Sequence, residues 1–276
     1  MHGHKRLRFT LSAFFGLPTP IRRPVIVYQM GKVASSSVYK GMRSIPGIDA
    51  FHAHYLYPEN VTRLARHSQD FRGLSRLRPH YKRRYLFRRL FRRPSTPIEI
   101  ITLIREPIAR NISAYFQNLD RNVSTRDAHN TLQTDALIDA FLNNYPHDTA
   151  LNWFDQEFRR TTKVDVYRYP FPISERYSVI EEWPFRILLL RSDLPDDAKQ
   201  EQIRRFLGIQ EFVIPAANVG KDKHYGDTYS RFLDTIRIPS DYARRMLESK
   251  YARHFFSEEE RGQAWRKWTA RDNPCV

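Results

Sequence analysis

Cysteine is all but missing from this chain. Of 276 residues only Cys275, one place before the end, carries a thiol. No intramolecular disulfide can form, so the fold does not depend on an oxidising compartment. No His, Cys, Asp and Glu grouping has the spacing of a zinc site, and no metal is expected. Neither a Gly-x-Ser-x-Gly elbow nor a cysteine nucleophile site is present. Long apolar runs are missing too: residues 7–17 lean apolar, but Arg8 interrupts them and they are too short to span a bilayer. The basic start, His4-Lys5-Arg6, is followed by no small-residue cleavage site, and a cytoplasmic protein is the expectation. Negative charge is the scarce sign. Thirty acids face 46 Lys and Arg, a net charge of +16, which calls for an anionic partner: nucleotide, acidic glycan, nucleic acid or membrane surface.

What is present suffices for a core. Hydrophobic residues make up 41% and aromatics 13%, and the length suits one α/β domain with appended segments. The chain is organised around residues 24–45. Residues 25–30 form a short β-branched apolar run that predicts a buried strand. Val38, Met42 and Ile45 recur at helical spacing. Between them lies the tight turn Gly31-Lys32-Val33-Ala34-Ser35-Ser36-Ser37. A strand turning sharply into a helix leaves the first helical N–H groups unpaired at the positive end of the dipole. With a Lys and three hydroxyls added, that is a place for a phosphate-like anion. It is not the triphosphate P-loop, in which Ser or Thr follows the Lys directly; here Val33 follows it. The plainer alternative is an ordinary helix capped by Ser35, with Lys32 solvated.

Pro46-Gly47 reads as a turn, and residues 48–54 as a second strand ending in His52 and His54. Strand, helix and strand within about thirty residues make a parallel βαβ unit, whose ligands sit beyond the carboxyl ends of the strands. Residues 58–93 read as a helical insertion; from Arg63 to Arg93 they carry twelve basic residues against the single acid Asp70. Its readings are a solvated basic face, a site for an acidic glycan, a membrane surface, or nucleic acid. Residues 98–104 predict a third buried strand, with Arg105 at its carboxyl end and Pro107 opening a helix that carries Ser113. An Arg fork with a hydroxyl suits a second phosphate. Further strands are expected at 163–169 and 185–190, and helices at 134–145, 148–160, 196–207, 240–256 and 257–270, with Gly208 as a C-cap and Ser257 with Glu260 as a capping box. The fold class is therefore α/β: a mostly parallel central sheet flanked by helices, in one domain over 1–276 with a basic leader at 1–23.

The two motifs together resemble the sulfotransferases that use 3′-phosphoadenosine 5′-phosphosulfate, whose fold is P-loop-like. By that resemblance Lys32, Val33, Ala34, Ser35, Ser36 and Ser37 hold the 5′-phosphosulfate, and Arg105 with Ser113 holds the 3′-phosphate. Phe51-His52-Ala53-His54 is similar to the His-x-His segment of glycan 2-O-sulfotransferases, which makes His54 the catalytic base, with His52 orienting it or serving in its place. The Gly-Lys-Val-Ala-Ser-Ser-Ser turn is similar to that of bacterial capsular-polysaccharide-type sulfotransferases. The resemblance covers roughly residues 24 to 120. The turn departs from the Gly-Thr-Thr of the cytosolic enzymes. The adenine-clasping loop has no clear pattern here, Gly220, Lys221, Lys223 and Tyr225 being its candidates. The implied function is sulfuryl transfer from the nucleotide to a hydroxyl, on a glycan, without metal. Two other classes stay open: a P-loop-type small-molecule kinase, and a non-catalytic basic module binding acidic polysaccharide or nucleic acid through 63–93.

Overall fold

The computed structural model describes residues 21–67, 83–92, 94, 96–215 and 224–269. The leader up to residue 20, the middle of the basic stretch at 68–82, and Gly220, Lys221 and Lys223 lie outside the described residues.

Five strands form one sheet: β1 (Pro24–Tyr28), β2 (Asp49–Ala53), β3 (Ile98–Ile104), β4 (Tyr177–Glu182) and β5 (Phe185–Arg191), in the order β2-β1-β3-β5-β4. The first four in that order run parallel, and β4 pairs antiparallel with β5 at the edge. The parallel strands at the centre are mostly apolar because helices cover both faces; every side chain of β1 and β3 is buried, Glu99 of β3 being paired with Arg23 and Arg186. After β1 the chain pairs to one side through β2 and to the other through β3. That reversal opens a crevice at the carboxyl ends of β1 and β3.

Leaving aside single turns such as Leu119–Asn122 and Ala128–Thr131, the helices among the described residues are α1 (Ser35–Met42), α2 (Pro58–His67), α3 (Pro107–Gln117), α4 (Thr134–Asn144), α5 (Thr149–Trp153, running on through a π turn at Phe154–Phe158 to Arg159–Thr162), α6 (Asp196–Leu207), α7 (Gly226–Thr235), α8 (Ser240–Leu247), α9 (Lys250–Phe255) and α10 (Glu258–Thr269). Pro107 opens α3 behind Glu106, whose carboxylate accepts from the N–H groups of Ile108 and Ala109 at 2.6 and 2.9 Å. Gly208, at φ +60°, closes α6. Ser257 and Glu260 form the reciprocal capping box of α10, at 3.1 and 2.9 Å.

Two expectations need correction. Residues 163–169 are not a strand: Val166–Arg168 is a 3-10 turn, capped by Asp165. Val164 and Val166 do go into the core, but from a loop that follows Lys163 in the left-handed conformation. The missing strand is β4, where Ile180 alone is fully covered, because an edge strand packs one neighbour and keeps a polar face. The single helix expected over 240–256 is two, since the Ser249 hydroxyl accepts from Ala252 N–H and starts α9 afresh.

Helix α1 is pressed against the segment after α6. A Cβ added at Gly41 would sit 2.9 Å from the Phe212 ring and closer still to the Val213 carbonyl oxygen. Gly41→Ala should therefore cost about 1–3 kcal/mol through overpacking, read as a lower midpoint in urea unfolding. An unchanged midpoint would mean that the Val213 backbone gives way freely.

Candidate active site at the carboxyl edge of the sheet

The turn after β1 has unusual backbone geometry. Gly31, Lys32 and Ala34 all take positive φ, at +85°, +63° and +62°. For the two non-glycine residues this costs of order 1–3 kcal/mol each and persists only where the surroundings impose it. Here three side chains do so. Gln29, fully buried, accepts the Gly31 N–H on Oε1 and donates through Nε2 to Ser35 Oγ. Arg110, 5% exposed, donates to the carbonyls of Met30 at 2.9 Å and Gly31 at 3.3 Å. Arg105 donates to the Lys32 carbonyl at 2.9 Å. Three successive carbonyls of the turn are thus held by guanidinium groups, which removes negative potential where an anion would sit.

Helix α1 then follows Ala34, which stands in the N-cap position and whose methyl group cannot cap it. The N–H groups of its first turn lack a side-chain acceptor and meet the cleft at the positive end of the dipole. The three hydroxyls differ. Ser35 Oγ is tied to Gln29, and Ser37 Oγ donates to the Ala34 carbonyl at 3.2 Å. Ser36 is exposed.

A cleft of about 1540 Å³ runs along this edge of the sheet. It brings together Lys32, Ala34, Ser35, Ser36, Ser37, His54, Arg105, Ser113 and Tyr225 from the sequence-derived set. Lys32 Nζ donates to Gln117 Oε1, one turn along α3 from Ser113. The backbone of Arg105 is held by Tyr251, whose hydroxyl accepts from Arg105 N–H at 3.1 Å and donates to its carbonyl at 2.8 Å. The other end of the cleft is walled by Arg191, which bridges Asp193 and Glu260. Val33 and His52 are not in its wall. The Val33 side chain is in the core, so a ligand would meet its backbone only.

His54 stands at the end of β2. Its Nδ1 lies 3.0 Å from the Gln29 carbonyl, which only accepts, so Nδ1 carries the proton and Nε2 keeps its lone pair. Burial lowers its pKa, the bond to Gln29 opposes this, and the charges of Arg83, Arg110 and Lys32 push it down again. The ring is neutral at neutral pH and packs 3.7 Å from the place of a Gly31 Cβ. The chain beyond it is anchored from α5. Trp153 Nε1 donates to the His54 carbonyl at 2.8 Å, and the Glu157 carboxylate accepts from the N–H groups of Leu56 and Tyr57 at 2.6 and 2.9 Å. Glu157, 1% exposed, also accepts from Asn60 Nδ2 and the Tyr28 hydroxyl.

Gln29, Arg110 and Glu157 did not stand out as site residues in the sequence. Glu157 left a signal: four residues after Trp153 and between Phe154 and Phe158, it is a carboxylate among inward positions. Arg110 lies off the apolar face of α3, yet that helix is covered on most sides and the guanidinium finds backbone carbonyls. Within the basic stretch, Arg83 is half-buried, while Arg84, Arg88 and Arg89 are exposed.

Residues 125–257 match the model of the NKWYS family, described as "Putative capsular polysaccharide synthesis protein". No curated protein and no solved structure matches the chain. The matched stretch contains Trp153 and Glu157, which anchor the exit of β2, together with Arg191, Tyr225 and Tyr251; the turn, His54, Arg105 and Ser113 lie outside it. Among the described residues, no group of three or more His, Cys, Asp or Glu side chains could hold a metal ion, and no helix is long and apolar enough to cross a membrane.

Proposed function

We propose that this chain is a sulfotransferase of P-loop-like fold, moving a sulfuryl group from 3′-phosphoadenosine 5′-phosphosulfate to a hydroxyl of a glycan in capsular polysaccharide synthesis. One observation carries the reading. The cleft joins two anion-adapted places, the Lys32 turn at the start of α1 and the Arg105–Ser113 pair, to a neutral imidazole whose Nε2 is left to accept a proton. The family match over 125–257 supports the polysaccharide context.

In this mechanism the turn's N–H groups and Ser36 take the 5′-phosphosulfate, and Arg105 with Ser113 takes the 3′-phosphate. Tyr225, Lys221 and Lys223 are the residues assigned to the adenine. The acceptor hydroxyl gives its proton to His54 Nε2 as its oxygen bonds to sulfur. The bond from sulfur to the bridging phosphate oxygen breaks, and adenosine 3′,5′-bisphosphate leaves with its new charge met by Lys32. No metal is required. A cytoplasmic site, and membrane-surface contact through 63–93, belong to the same proposal; nucleic acid is not a partner in it.

Thermal-shift measurements with adenosine 3′,5′-bisphosphate, ATP with magnesium, and heparin test it. The bisphosphate should stabilise by about 2.7 kcal/mol at a hundred times its Kd. Stabilisation by ATP–magnesium alone would favour a kinase, and by heparin alone a basic binding module. Arg105→Ala should abolish discrimination between 3′-phosphorylated and unphosphorylated adenosine nucleotides in calorimetry, because the 3′-phosphate is the group that reaches this fork. Equal losses for both nucleotides would place Arg105 elsewhere.

A further inference from the structure

The bracket inside the anion turn determines where protons sit. The backbone N–H of Gly31 can only donate, so the Gln29 atom that it meets is Oε1. The Gln29 amide nitrogen must then be the atom facing Ser35 Oγ and, at 3.0 Å, His52 Nε2. An amide nitrogen donates and does not accept. His52 Nε2 therefore holds a lone pair, and the ring's proton is on Nδ1. Ser35 Oγ lies 3.1 Å from the same nitrogen, close enough for its hydroxyl to share that single lone pair. Tyr39 stacks on the ring at 5.1 Å between centroids and His54 packs edge-to-face with it at 4.9 Å, which holds its orientation.

We infer that His52 is a positioning residue for donor binding: its Nε2 accepts inside the turn and, through Gln29 and Ser35, holds the backbone that receives the nucleotide's anionic group. This rests on the sulfotransferase reading and deepens it. The two histidines of the His-x-His segment divide the work. His54 lines the cleft and takes the proton; His52 points into the turn and does not line the cleft. Burial, reinforced by the neighbouring His54 and Arg83, lowers the His52 pKa to about 4, which keeps the acceptor available at neutral pH.

The test compares two substitutions in the full chain. In His52→Gln the side-chain carbonyl reaches about where Nε2 sits and still accepts. In His52→Leu the space is filled with no acceptor, so the buried Gln29 N–H goes unanswered. Calorimetry with adenosine 3′,5′-bisphosphate should show His52→Leu binding about tenfold or more weakly, and His52→Gln near wild type. In steady state the donor KM should rise in His52→Leu, while the acid limb of kcat stays where His54 sets it. Should His52→Leu not fold, nitrogen-15 NMR of the wild type still decides, because an Nε2–H tautomer at His52 overturns the inference. Unchanged affinity in His52→Leu with a lost kcat also overturns it and returns His52 to proton transfer. No binding of the bisphosphate by wild type defeats the sulfotransferase reading as well, whereas wild-type binding with an unaffected His52→Leu defeats this inference alone.

Discussion

Lys32→Ala should lower turnover by about 100- to 1000-fold and leave the melting temperature nearly unchanged. The ammonium is expected to meet the bridging oxygen as negative charge gathers there, so its interaction is strongest in the transition state and its loss falls on kcat. The substitution isolates that charge unusually well. Lys32 sits at φ +63°, and Ala, which also carries a Cβ, bears the same backbone strain as Lys, so the turn is not asked to change shape. The bond from Nζ to Gln117 is solvent-exposed and contributes little to stability. Turnover within a few-fold of wild type would show that the turn is a structural feature, and the proposed function would fall with it. A large loss of both activity and melting temperature would instead mean that the side chain holds the turn together.

The parts of the site that were legible are those whose chemistry is local. Strand, turn and helix follow one another over residues 24–42, so a run of buried apolar residues, a Gly-Lys pair and three hydroxyls carry their own context. The same holds for Glu106-Pro107 and for Ser257 with Glu260, where cap and capped N–H lie within three residues. What could not be read depends on contacts far along the chain. Arg110 meets carbonyls 79 and 80 residues earlier, and Glu157 meets Leu56 N–H 101 residues earlier. In each case a charged side chain is buried because backbone groups of another element satisfy it, and hydropathy alone counts it as exposed. Strand β4 failed for the opposite reason. Its one buried side chain, Ile180, gives too little apolar pattern to separate an edge strand from a loop, while 163–169 offers a strong pattern that a left-handed Lys163 and a 3-10 turn override. The two histidines were legible as neighbours at the end of β2, but their different surroundings were not, since these depend on which ring nitrogen faces Gln29.

His54→Ala should cut turnover by about 100-fold or more while adenosine 3′,5′-bisphosphate still binds. The ring contributes a lone pair at Nε2, fixed by the bond from Nδ1–H to the Gln29 carbonyl, and an acceptor hydroxyl attacking sulfur in line must approach from the side opposite the leaving phosphate. The pH dependence follows from the same ring. Its pKa is lowered below 6.5, first by burial and then by the charges of Arg83, Arg110 and Lys32 against the opposing bond to Gln29, so the active neutral form persists through neutral pH. The wild-type rate should be flat near neutrality and fall on the acid side at a pH below 6.5, tenfold per unit once past the pKa. Stability has an acid dependence of its own. His52 moves from 6.5 to about 4 on folding, so the unfolded chain takes up its proton first; stability is full above 6.5 and drains as the pH falls towards 4. Melting temperatures measured at each pH separate the two effects, and kcat at saturating donor reports the base. In His54→Ala the acid limb should vanish along with most of the rate. If the variant keeps its activity and the limb remains, the proton goes elsewhere, and Glu59 in the first turn of α2 is the next carboxylate to replace.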